Sequence, residues 1–356
     1  MTNSADRLSP PTEMEVAEET TVSRPNRLRS WAVRLGKWMI TLLVIVAVAL
    51  AARESVSKWQ QQSTATRITL ADVRWGWLVV SAVTYAISLI PAGLVLRRAL
   101  AALHQPIGLR LVMAAQLVGH LGKYVPGKAM VIVLRASILS RGATKISIKL
   151  SAIAVIIETL NLIAVGAALA LLLVMVLETP PWIKWGSALM AIGALFGTLP
   201  PVLRFALSPR LRIRKRNSHK DETLQPMPLD WTTNDLVAAW FWCAISWAFT
   251  GISMTAVVLA LVPLSADQSV VSLTLICSAA AMLAFVAGFL SLLPGGVGVR
   301  ETVLATLLGP IIGPGPALLS AVVARLVQLA VESILAAGIW TMMNRRRIRP
   351  TDQLVS

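Results

Sequence analysis

From Trp38 onward the chain alternates long apolar runs with short polar stretches. The runs are Trp38 to Ala52, Trp75 to Leu96, Ile146 to Leu177, Trp185 to Leu203, Asn234 to Val262 and Pro316 to Thr341. A bilayer core about 30 Å thick is crossed by about 20 apolar residues in a helix, so each run predicts a full span. Two further apolar pairs are less regular, 107 to 121 with 128 to 140 and 269 to 293 with 299 to 312. Their members are short, and each pair is broken in the middle by Pro and Gly. The fold class expected is therefore all-α: a polytopic transmembrane helical bundle of about eight to ten membrane-embedded helices, in which each of the two broken pairs is either a re-entrant hairpin or two full spans, since charge counting fits both.

Residues 1–37 read as a polar, disordered cytoplasmic tail, residues 38–342 as the transmembrane domain with a basic cytoplasmic loop at 204–230, and residues 343–356 as a second tail. The first run ends in Ala-Leu-Ala-Ala, as a cleaved signal does, but a signal needs a short basic leader and the leader here is long and acidic, so the run is taken as a span.

Composition narrows the class. With 56% hydrophobic and 14% charged residues and a mean hydropathy of +0.71, the chain falls far below the charged fraction of about 25% usual in soluble domains. A water-soluble enzyme is excluded. The net charge of +16 is mostly topological. Basic residues crowd into Arg24 to Lys37, Arg97 to Lys149, Arg204 to Lys220 and Arg345 to Arg349, whereas alternate loops hold only Arg53, Lys58, Arg67, Arg74 and Lys184. The positive-inside rule then predicts a multi-pass protein with both termini cytoplasmic. No nucleic-acid partner is needed to explain the charge, although the 204–220 cluster could also meet anionic lipid headgroups. Trp31, Trp38, Trp59, Trp75, Trp77, Trp182, Trp185, Trp231 and Trp340 lie near run ends, where an indole suits the membrane interface. Cys243 and Cys277 fall in apolar runs, and neither a disulfide framework nor a cysteine metal site is expected.

The first break reads His120-Leu121-Gly122-Lys123-Tyr124-Val125-Pro126-Gly127-Lys128. Proline removes an amide donor and glycine opens backbone angles closed to other residues, so a helix should stop here and restart near Lys128. Interrupted backbone at membrane depth needs burial in protein or a wet cavity. Free amides and the positive dipole end would then join Lys123 and Lys128 around an anion such as a lipid phosphate. The alternative is a cytoplasmic loop whose lysines lie in water at headgroup level. The second break, Leu292-Leu293-Pro294-Gly295-Gly296-Val297-Gly298-Val299-Arg300-Glu301, repeats the pattern. It lacks the spacing and the βαβ setting of a nucleotide loop. Its alternative is structural, helices packed through glycines with an Arg–Glu pair.

Ionisable residues within the spans point the same way. Glu158 stands in an apolar helix near Asn161, and Arg325, Gln328 and Glu332 form one stripe on the last span. Gln116, His120 and Lys123 or Tyr124 form another. Intramembrane charge is costly and faces a bundle interior or cavity; Glu158 is expected either to form a structural ion pair, for instance with Arg300 or Arg325, or to contact substrate, and the two are compatible. His120 reads as a hydrogen-bonded helix residue.

At Gly122 to Lys128, Glu158, Pro294 to Glu301 and Arg325 the chain resembles the lysylphosphatidylglycerol synthase transmembrane family, also called flippase-like integral membrane proteins, over roughly residues 38–342. The resemblance implies kinship with the lipid-translocating membrane half of the bacterial synthase and with relatives that move or process isoprenoid, hopanoid or glycan-carrier lipids. Ala129 and Met130 stand where the family often has an aromatic residue, and Thr159 where an Arg commonly follows the glutamate. Only 15 residues follow Thr341, too few for an aminoacyl-transferase domain, so that activity is not expected.

The function expected is binding and translocation of an anionic or isoprenoid-type lipid, without enzymatic activity, cofactor or metal. The substrate-binding candidates of the first break are Lys123, Tyr124, Gly127 and Lys128; those of the second are Gly295, Gly296, Gly298 and Arg300. Glu158, Glu301, Arg325 and Glu332 would balance charge and couple states. The alternatives are an enzyme of polyprenyl-linked lipid or glycan biosynthesis, which would need convergent carboxylates, and an accessory partner of a synthase or glycosyltransferase docked through the basic loop and tail.

Overall fold

The computed structural model describes residues 71–124, 129–140, 146–176, 181–207, 212–215, 223–226, 229–264, 269–290 and 296–348. The first apolar run, Trp38 to Ala52, lies outside them. The other runs become helices close to their expected bounds: α1 is Trp75–Ala102, α4 Ile148–Val176, α7 Thr233–Leu261 and α10 Pro314–Ile348. α7 starts where Thr232 accepts the Asp235 amide, while the Asp235 carboxylate takes the Thr232 amide, a reciprocal cap that satisfies free donors at the helix start.

The expected single span over Trp185 to Leu203 divides into α5 (Pro181–Thr198) and α6 (Pro200–Leu207), bent by 69°. Pro200 and Pro201 explain the bend: each lacks an amide donor, and a proline steers the residue before it, here Leu199, out of helical geometry. The segment expected to be short at 269–293 is instead α8 (Val270–Leu290), 21 residues long and apolar enough to cross a membrane alone. Nothing between Val270 and Leu290 breaks it, because a lone Gly288 is tolerated inside a packed helix. Among the described residues five helices are long and apolar enough to span, or six if the bent α5–α6 pair is one crossing.

Three short helices complete the bundle, α2 (Leu109–His120), α3 (Ala129–Leu139) and α9 (Val299–Ile312). The longest of them has 14 residues, about 21 Å at the helical rise, less than a hydrocarbon core. One departure from all-helical structure is a hairpin in the basic loop, β1 (Arg212–Lys215) antiparallel to β2 (Thr223–Pro226). It lies outside the apolar runs, where no helical periodicity directs the chain.

α1 and α7 run alongside each other and are joined by hydroxyls. Ser81 and Ser253 share a hydrogen bond of 2.9 Å, and Ser246 donates to the Ser88 carbonyl at 2.7 Å. Between apolar helices in lipid, such small polar contacts and close packing replace the hydrophobic drive. One apolar cluster joins α1, α2, α3, α4 and α7, and a second joins α7, α8, α9 and α10. Trp75, Trp185 and Trp340 are exposed as interface residues should be. Trp231 is not: it is fully buried at the foot of α7, and its carbonyl accepts from Arg204 at 2.8 Å. The polar turn before the helix folds back onto the core there, which a position near a run end could not reveal.

Trp247 of α7 donates its indole N–H to the Leu162 carbonyl of α4 at 2.9 Å, and its ring lies against Gly166. A Cβ at Gly166 would fall 2.6 Å from the ring, whereas one at Gly193 in α5 would meet nothing within 4 Å. Gly166→Ala is expected to destabilise by about 1–3 kcal/mol, and Gly193→Ala to be neutral or stabilising by up to about 1 kcal/mol, as read from thermal unfolding of the detergent-purified protein.

Candidate functional site

α2 ends at His120 and passes into a 3-10 turn, Leu121–Tyr124, before the chain resumes as α3 at Ala129. The turn lies directly against α3: a Cβ on Gly122 would come within 2.6 Å of the Val131 Cα, so only glycine lets the hairpin close here. The second break closes similarly. Gly296 has a φ of +67°, and its Cβ would stand 2.8 Å from the Gly288 Cα of α8. Gly298, with φ +84°, begins α9, and its amide donates to the Glu301 carboxylate at 2.7 Å. Both breaks therefore press backbone against backbone and leave the next side chains aimed into the bundle.

Two buried carboxylates gather the first hairpin onto the long helices. Glu158 of α4 accepts from the Gln116 amide at 2.8 Å through one oxygen and pairs with Arg135 of α3 through the other. Gln116 also lies 3.4 Å from the His120 ring nitrogen. Glu332 of α10 pairs with Lys123 and accepts from the Tyr85 hydroxyl of α1, with His120 Nδ1 3.8 Å away. Lys123 stands 3.5 Å from the Tyr85 hydroxyl and 5.1 Å from the Tyr124 ring centre. At the second break Glu301 pairs with Arg325 of α10. Arg300 differs from the other cations. Its guanidinium lies 3.2 Å from the Phe285 ring centre, and no carboxylate among the described residues is within ion-pair distance of it.

These groups surround a cavity of about 490 Å³. Tyr85, His120, Lys123, Arg135, Glu158 and Arg300 form its polar side, and most of the remaining wall is apolar. Ile156 of α4 and Phe289 of α8 also line it and are 39% and 41% exposed. A smaller void of about 30 Å³ adjoins it, sharing Thr250, Phe285 and Arg300 and reaching Glu301, Arg325 and Gln328.

Of the residues singled out in the sequence, Lys123, Gly296, Arg300 and Glu158 line the large cavity. Tyr124, Gly298, Glu301, Arg325 and Glu332 do not, although Glu332 lies directly behind Lys123 and Tyr85. Gly127, Lys128 and Gly295 lie outside the described residues. The expected partner of Glu158 is corrected: the pair is with Arg135, neither Arg300 nor Arg325. α3 packs on α4 and brings Arg135 to Glu158, whereas Arg325 is taken by the nearer Glu301. Arg135 was missed as a site residue. Its signal was present, a lone charge inside an 11-residue apolar helix.

The sequence profile of the family described as lysylphosphatidylglycerol synthase TM region matches residues 31–336. The chain belongs to this family and is an integral membrane protein of it. Comparison with curated proteins gives no match.

Glu158 and Arg135 are each about 4% exposed in their side chains. Removing one partner strands the other's charge in a low dielectric, at about 3–5 kcal/mol, whereas removing both is nearly neutral. Arg135→Met is therefore expected to lower unfolding stability by that amount, and Arg135→Met with Glu158→Met to recover most of it, in denaturant unfolding of the purified protein.

Proposed function

We propose that this member of the family binds the anionic headgroup of a lipid in the cavity and carries the lipid between leaflets. The observation that carries this reading is the state of Arg300. Lys123 and Arg135 come with carboxylates attached, but Arg300 faces a largely apolar cavity with only an aromatic ring beneath it. Among the described residues the cavity thus carries one positive charge more than it balances. A charge in such a setting is costly until an anion joins it. A phosphate on a lipid supplies that anion, and Arg offers a planar fork of donors suited to phosphate oxygens.

The two breaks put headgroup chemistry inside the bundle while the exposed side at Ile156 and Phe289 gives the acyl or isoprenoid chains a way to stay among lipid tails. Glycine-tight hairpins in both halves of the chain are what an inverted-repeat carrier uses at its binding site. We place the protein in the bacterial inner membrane, and the asymmetry of basic residues supports an orientation with both termini in the cytoplasm. Against an enzyme of polyprenyl-linked lipids stands the use of the carboxylates: Glu158, Glu301 and Glu332 are each held by a separate cation rather than left free to act as an acid and a base.

Reconstituted in liposomes, the protein is expected to move fluorescent phosphatidylglycerol to the opposite leaflet, and Arg300→Gln to slow that movement by at least about tenfold, the effect of losing a buried charge contact of about 2 kcal/mol or more. Unchanged transport by Arg300→Gln, with folding verified by size-exclusion chromatography, would remove the proposed anion site.

A further inference from the structure

Glu332 has a property that headgroup binding alone does not use. It is fully buried, and while one carboxylate oxygen takes both Lys123 and Tyr85, the other has no hydrogen-bond partner among the described residues. Lys123 is differently placed: its side chain is 21% exposed and lines the cavity. One ammonium therefore stands between a carboxylate behind the wall and whatever occupies the space in front of it.

We infer, resting on the headgroup reading above, that Glu332 is a proton-binding site linked to the cavity, so that an anionic phosphate headgroup and a proton are taken up together. The step balances simply. The phosphate draws the Lys123 ammonium away from Glu332 Oε1, and a proton from water adds to the unpartnered Oε2. The ionised pair Lys123–Glu332 becomes an ionised pair of Lys123 with phosphate, beside a neutral carboxylic acid that still accepts from Tyr85. A carboxylate deserted by its cation in a fully buried position is expensive and is neutralised in preference to remaining charged. Acid–base chains of this kind are a recurrent use of intramembrane Glu and His.

The neighbours fit that role. Tyr85 of α1, His120 of α2 and Lys123 and Tyr124 of the 3-10 turn face the carboxylate, and Arg300 of α9 and Arg325 of α10 repel Lys123, a repulsion that an anion in the cavity would relieve. His120, at 3.8 Å, is beyond hydrogen-bond reach of Glu332 and does not replace the lost cation. Glu158 is not equivalent: both its oxygens are occupied, and its partner Arg135 is almost wholly buried.

Linkage fixes the sign. If lipid binding takes up a proton, anionic lipid binds more tightly as pH falls, by up to about tenfold per pH unit for one fully coupled proton. A singly charged lipid accompanied by a proton moves no net charge, so a pH gradient would bias its distribution and a membrane potential would not.

Calorimetric titration of the detergent-purified full chain with dioctanoylphosphatidylglycerol, repeated in buffers of different ionisation enthalpy, measures the proton uptake directly. The expected result is close to one proton per lipid, about the full linkage slope, together with a protonated-carboxyl band in the infrared difference spectrum on binding. Glu332→Gln is expected to remove both and to make lipid affinity independent of pH. The infrared measurement on the unmodified protein decides the matter even if that variant fails to fold. Specific lipid binding without proton uptake, or with uptake but no carboxyl band, overturns the inference and leaves the headgroup site standing. Binding no better than that of dioctanoylphosphatidylcholine overturns the headgroup site and this inference with it.

Discussion

Charge buried in a low dielectric must be matched, and in this bundle the matching is also what assembles it. Glu158 joins α2, α3 and α4 through Gln116 and Arg135; Glu332 joins α1, the 3-10 turn and α10 through Tyr85 and Lys123; Glu301 joins the start of α9 to α10 through Arg325. The short helices α2, α3 and α9 cannot cross a hydrocarbon core themselves. Each is therefore attached to long helices by a contact that becomes costly when either partner is taken away. The same contacts leave their cations beside the cavity, so the forces that position the hairpins also set the electrostatics of the site.

Glycine makes this attachment geometrically possible. With a side chain at Gly122, the turn could not approach Val131, and Lys123 would be displaced from Glu332. With one at Gly296, the chain would be pushed from Gly288, and Arg300, whose side chain packs on both glycines, would lose its seat over Phe285. Backbone proximity and charge pairing are thus two parts of one construction: the first brings the cation inside, and the second makes its burial tolerable.

The sequence made the long helices readable because a span is a local property. Apolar runs give α1, α4, α7 and α10 within a few residues, and Pro-Gly clusters mark both breaks. The bend between α5 and α6 was written in Pro200 and Pro201, but inside an apolar run the hydropathy outweighed them. Intervals of three and four residues grouped Gln116 with His120, which the structure places 3.4 Å apart, and placed Arg325, Gln328 and Glu332 in one stripe. They could not say which face meets which, because that depends on helix rotation and packing between distant segments. Hence Glu158 was matched to the wrong arginine, and Arg135 went unmarked although a charge in so apolar a helix demands a partner. Trp231 shows the same limit: its place near a helix end was legible, and its burial by the returning chain was not.

The two hairpins share a construction but differ in what they leave undone. In the first, Lys123 and Arg135 are each already paired with a carboxylate, with which a phosphate, if one binds as proposed, would have to compete. In the second, Arg300 rests on Phe285, a cation–π contact of about 0.5–2 kcal/mol, much less than an ion pair can supply at such a depth. If the cavity takes an anion as proposed, that anion gains most where the existing partner is weakest, so Arg300 would be its first contact. Lys123 is the second, because its ammonium has a long flexible stem and partial access to the cavity, while Arg135 remains locked beneath Glu158 and Gln116. Recruitment of Lys123 then undoes a bond that holds the first hairpin to α10. On the proposed reading, occupancy of the cavity and the grip between hairpin and bundle could not both be at their strongest, which is the opposition that a carrier with differently shaped loaded and empty states would require.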